Sequence, residues 1–206
     1  MLTACRAVIV LGLACLALQL SAADPAPAVP AWKPNAETVT ELAPATQFAD
    51  FEIQPPKGYQ GAPPKTGPGG NQAFVWVSNP RQDGTRAYLM VTVMTLPPGE
   101  AGAETPEQVQ AKMLAAIQKR RTGWTNTAPE KGTINGLAFS RAYWQANDAA
   151  TGKVMKGFSY VARLGDTFVQ LSSQDVVHGG EKCLGIAEAA VLTFKAATAA
   201  EPAPGK

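Results

Sequence analysis

Residues 133–144 read TINGLAFSRAYW. Asn135-Gly136 is a strong hairpin signal, because both residue types accept the left-handed backbone that a two-residue turn requires. It predicts one strand ending at Thr133-Ile134 and a second over residues 137–146. A polar connection, NDAATGK (147–153), leads to a strand over 154–164, and Gly165-Asp166 turns that strand into another over 167–173. Short connections of this kind join antiparallel neighbours. A three-strand antiparallel meander therefore forms the centre of the fold, and the rest of the chain is read outward from it.

Downstream, residues 180–191 predict a closing helix. Leu184, Ala187, Val191 and Phe194 fall on one stripe that would pack on the sheet. Gly185 weakens the helix interior by roughly 1 kcal/mol relative to alanine. Upstream, Thr105 is a natural N-cap, Pro106 suits the first helical position and Gln108 completes a capping box. Val109, Met113, Ala116 and Ile117 give that helix one buried stripe. Lys119, Arg120 and Arg121 would complement its negative C-terminal end, and Gly123 would stop it.

Further upstream, residues 51–53 read as a short strand running into Pro55-Pro56 and Gly58-Tyr59, and the Gly/Pro-rich residues 61–71 read as a loop. AFVWVS (73–78) suits a buried strand, and residues 79–85 form a turn. Residues 86–96 follow as a long strand. Tyr88, Met90, Thr92 and Met94 would line one face, and Leu89, Val91 and Val93 the other. Both faces are largely apolar, which implies cover on both sides. Pro97-Pro98 ends the strand.

The 206 residues are 46% hydrophobic and 17% charged, a composition that excludes a wholly disordered polymer. A net charge of +2 is too small for a dedicated nucleic-acid binder, so no nucleic acid is expected as a partner. The N-terminus carries one basic residue, an apolar run over 7–20 and the small residues Ser21-Ala22-Ala23, the pattern of a signal peptide over 1–23. The run is shorter than the roughly 20 residues a bilayer span needs, and no second one follows, so no membrane span is expected after cleavage. Export to the periplasm or outside the cell follows. Ala14-Cys15 loosely resembles a lipidation site, the alternative being an anchor through Cys15.

Residues 24–47, with five prolines spread through alanine, read as a linker, and 196–206 as a frayed tail of the same character. The folded unit is expected over 48–195. Cleavage would leave Cys183 as the one cysteine, which precludes an internal disulfide and reads as a small apolar residue on the closing helix.

The order of elements resembles the PsbP-like superfamily. FEIQPPKGY (51–59), TINGLAFSRAYW (133–144), GFSYVARLGDTFVQLSSQD (157–175) and the terminal helix carry the resemblance. That superfamily includes the extrinsic photosystem II subunit, a nuclear Ran-binding protein and small exported bacterial proteins. The resemblance implies an α+β fold, an antiparallel sheet flanked by helices on both faces (an α/β/α sandwich). It also implies a non-enzymatic binding or assembly role.

The chain has no GxSxG, HExxH, P-loop or CxxC motif, and His178 is its single histidine. Neither a catalytic activity nor a cofactor is expected. Asp175, His178 and Glu181 are the densest polar cluster, with oxygen and imidazole donors that would suit zinc or manganese. Arg141, Tyr143, Trp144, Tyr160 and Trp124 offer a second candidate, an aromatic–arginine patch of the kind that anchors protein partners. Adjacent Tyr143 and Trp144 point to opposite sides of their strand, so one belongs to the core. The expected function is an exported, monomeric domain that binds a protein partner or supports assembly in the cell envelope. The alternative is a small-ligand or metal-binding module with its pocket between sheet and helix.

Overall fold

The computed structural model describes residues 29–96 and 104–197; the segment expected as a signal peptide over 1–23, Cys5, Cys15, Pro97-Pro98 and most of the C-terminal tail lie outside them. The Asn135-Gly136 turn forms as the sequence requires. Both residues have positive φ, 48° and 82°, and join β7 (Glu130–Ile134) to β8 (Leu137–Asp148). β9 (Val154–Leu164) and β10 (Thr167–Val176) continue the antiparallel meander.

With β3 (Gln60–Thr66), β4 (Gln72–Val77), β5 (Tyr88–Thr95) and β6 (Arg121–Asn126), these strands build a sheet of eight in the order β3-β4-β5-β10-β9-β8-β6, β7 pairing with β8. A small second sheet pairs β1 (Thr46–Phe48), β2 (Phe51–Ile53) and β11 (Lys195–Ala196). The helices are α1 (Ala36–Val39), α2 (Pro106–Gln118) and α3 (Val177–Val191). The fold is mixed α+β and mostly antiparallel sheet.

Alternation along the strands sorts the core. Phe158, Tyr160 and Ala162 of β9 join Phe139, Leu171 and Leu89 in a cluster with Ala187, Val191 and Phe194 from α3 and the chain beyond it. Val161, between them, packs instead with Phe168, Val109 and Met113, and Trp144 with Leu114 and Ile117 of α2. The capping box at Thr105 and Gln108 starts α2 as expected. Gln110, on its inner face, is fully buried. Its amide nitrogen donates to the Ser140 carbonyl at 3.2 Å and the Ser159 carbonyl at 2.7 Å, while its oxygen accepts from the Ser140 hydroxyl at 2.6 Å. Those partners explain how an amide sits in the core.

Three local expectations are corrected. Residues 61–71 are not all loop: the exposed outer strand β3 runs through Pro63 and Pro64. A register shift between Ala62 and Lys65 spans the prolines, the bulged edge position where a missing N–H is tolerated. α2 ends at Gln118, so Arg121 opens β6, bonded to Asp148, and does not decorate a helix end. Gly123, at φ 59°, lies in a bulge of that strand. α3 begins at Val177, three residues earlier than the expected 180.

The segment expected as a linker over 24–47 is docked from residue 30 onward. Trp32 N–H donates to the Thr133 carbonyl at 2.8 Å, and Thr133 N–H to that of Pro30 at 2.9 Å. Its indole lies on Gly132, where a Cβ would collide with the ring. Half-buried against Arg141, Tyr160 and Gly132, Trp32 is the aromatic anchor that holds this proline-rich segment to the sheet.

Candidate functional site

A cleft of about 550 Å³ opens between α3 and the strands β6, β8 and β9. Tyr143, Phe158 and Leu184 line it, with Gly185 and Glu188 along the helix and Thr127 just past β6. Glu181 and Lys156, paired at 2.9 Å, stand at one rim. The helical residues 181, 184, 185 and 188 recur at the three- and four-residue spacing that puts them on one face of α3.

Glu188 organises the polar end of this cleft. Its Oε1 accepts from the Tyr143 hydroxyl, and from the Tyr160 hydroxyl at 2.5 Å. Arg141 lies behind, with Nη1 4.0 Å from the same oxygen and Nη2 donating to Glu130 at 2.5 Å. The Trp32 ring lies 4.2 Å below the guanidinium and meets Tyr160 edge-on at 5.5 Å. Arg141 Nε is buried without a partner. Burial, reinforced by the Glu188 bond, pushes the Tyr143 phenol up to about 12. Tyr160 is raised further by burial and the Glu188 charge. Burial works against the Arg141 cation, but its bond to Glu130 and the neighbouring Tyr160 and Tyr143 together more than offset this and hold it charged.

The aromatic candidates divide. Arg141, Tyr143 and Tyr160 are brought together around Glu188, yet Tyr160 is fully buried and Trp32 covers Arg141, so they do not form the open patch expected of them. Tyr143 and Trp144 reach the cleft. Trp144 is otherwise core: its indole passes over Gly157, where a Cβ would come within 2.5 Å of the ring. Trp124 stacks on Trp144 at 5.2 Å and joins the cluster of Leu114 and Ile117, apart from Arg141 and Tyr160.

The candidate metal ligands are not gathered. Asp175 is 1% exposed and clamped by Arg81 through both carboxylate oxygens, with Arg81 Nη1 at 2.7 Å from Oδ1. Glu181 is taken by Lys156. Exposed His178 lies in a separate, smaller cleft with Asp83 and Lys153. No group of three metal-ligating side chains occurs among the described residues. Cys183 is half-buried on α3.

Sequence reasoning missed Glu188 and treated Gly185 only as a weakness. Glu188 lies one residue past Ala187 of the apolar stripe, so it was legible as a helix-flank carboxylate. Its two phenolic partners come from different strands and were not.

The mixed α+β, mostly antiparallel fold is similar to that of PsbP. Among solved structures, that of cyanobacterial PsbP from Synechocystis sp. PCC 6803 matches with a TM-score of 0.57 and 11% identity, over 76% of this chain and 93% of its own. A point mutant of the protein Mog1 matches at 0.50 and 12% identity, over 74% and 94%. LpqN of Mycobacterium tuberculosis, described as involved in cell envelope biogenesis, matches at 0.49 and 13%, over 72% and 83%. At such identities the likeness is one of fold. No family profile matches the sequence, and no curated protein matches it.

Proposed function

We propose that this protein is an exported, non-catalytic binding module that holds part of a protein partner in the cleft between α3 and β8–β9. The cleft itself carries the reading: its volume lies in the range of specific binding pockets, its walls are mostly apolar, and Glu188 with its two phenols stands about two helical turns from the Glu181–Lys156 pair. The signal-peptide pattern over residues 1–23 supports export, and no helix among the described residues is long and apolar enough to cross a membrane. The PsbP-like fold is compatible with a binding role, and the pairing of Asp175 with Arg81 removes one of the three candidate metal ligands.

We also read the large sheet as covered on both faces. Ser159 and Val161 meet α2, while Phe158, Tyr160 and Ala162 belong to the cluster that includes α3. The cleft is then the part of the second face that α3 leaves open.

A photo-reactive residue in place of Leu184, compared in intact cells with one in place of exposed Lys65 on β3, tests the proposal. A discrete protein adduct from position 184 alone is expected. Identical adducts from both positions, or none from 184, would overturn the reading.

A further inference from the structure

Gly185 occupies the interior of α3, where glycine is destabilising relative to alanine. Packing elsewhere in the chain explains such glycines. Gly157 has Trp144 and the Ser173 carbonyl against it, and Gly180 has the Asp175 carboxylate. Among the described residues, nothing lies within 4 Å of the place where a Cβ of residue 185 would stand. Its missing side chain serves no internal contact and instead widens the cleft it lines.

The charge at that cleft is specific. Lys156 is committed to Glu181 at 2.9 Å, and Arg141 to Glu130 at 2.5 Å. Among the described residues Glu188 has no equally close cation: Arg141 is 4.0 Å away, and both phenols bond Oε1, which leaves Oε2 as an acceptor. A half-buried carboxylate at the end of an apolar cleft selects a cation that brings apolar surface with it. The cleft also opens onto a sheet edge. β6 is the last strand in the order, and its Thr125 and Asn126 are part of the lining. An edge strand offers main-chain groups to an extended peptide, which a free small molecule would not use.

We infer that the cleft receives an extended segment of a protein partner, in which a lysine or arginine reaches Glu188 and an apolar side chain fills the space beside Gly185 and Phe158. The inference rests on the docking reading above and specifies its chemistry. Side chains on one side of an extended chain are two residues apart, so the segment has the basic and apolar residues in that spacing.

Blocked threonine-rich pentapeptides, with phenylalanine two positions from lysine or from norleucine, test this by titration into the isotope-labelled protein with amide shifts as the readout. The expected shifts centre on Leu184, Gly185 and Thr127, and the lysine peptide binds roughly tenfold tighter than the norleucine peptide. Glu188→Gln, which keeps an acceptor for both phenols, removes that preference and leaves the norleucine affinity in place. Gly185→Leu abolishes binding of both peptides. Equal affinities, with the shifts still at Gly185, would overturn the cation and leave the docking cleft standing. Shifts with neither peptide would overturn the inference, while the adduct from position 184 reads the docking proposal independently.

Discussion

Tyr143 and Tyr160 place two phenol hydroxyls on one carboxylate oxygen, and that convergence makes the protein sensitive to alkali. Tyr143 is raised from 10.0 to about 12 by burial and by its bond to Glu188, and Tyr160 moves in the same direction. A group whose folded pKa is raised contributes stability that is complete below its unfolded value and is lost as pH climbs through the folded one. Unfolding free energy is therefore expected to fall between about pH 10 and about pH 12, with a shallower fall in Tyr143→Phe. Denaturant unfolding across that window measures both slopes, and parallel slopes would contradict the role given to Tyr143. Gln110 shows the same logic without charge, its amide placing three hydrogen bonds inside an otherwise apolar layer.

Single elements differ in how openly the sequence declares them. β7 and β8 were legible because Asn135-Gly136 admits few alternatives, and α2 because its cap uses three residues in fixed positions. β3 was hidden by Pro63 and Pro64, which signal a loop locally but are tolerated on an outer strand with a bulge. Basic residues before Gly123 imitate a helix terminus, although Arg121 is held in a strand by Asp148. Of the site, Arg141, Tyr143 and Tyr160 could be singled out by residue type. Their enclosure could not, because it depends on Trp32 arriving from about a hundred residues upstream. The β8–β9 pair also has a test of its own. Gly157→Ala would force a Cβ within 2.7 Å of the Ser173 carbonyl as well as into the Trp144 ring. A loss of roughly 1–3 kcal/mol in urea unfolding is expected; no measurable loss would mean that Trp144 does not need that close approach.

At the scale of the molecule, the segment around Phe48 and Phe51 meets Phe194, just past α3, in the core cluster on the α3 side of the large sheet. The rings of Phe48 and Phe51 pack at a tilt against Phe194, and Asn135 in the hairpin turn donates to the Phe194 carbonyl at 2.9 Å. This packing steadies α3 against β9 and β10 while the stretch from Glu181 to Glu188 borders the open cleft. Stability and binding then make opposite demands on Gly185. Leucine at that position restores helix propensity worth about 0.8 kcal/mol, which raises the melting temperature by roughly 2–3 °C in a chain of this size. It also fills the space a partner would occupy. The most direct measurement is therefore a comparison of Gly185→Leu with the native chain, read by melting temperature and by the photo-adduct formed from position 184. A more stable variant that no longer forms the adduct is the predicted result; a Gly185→Leu variant that keeps the adduct would contradict the assignment of this cleft as the binding site.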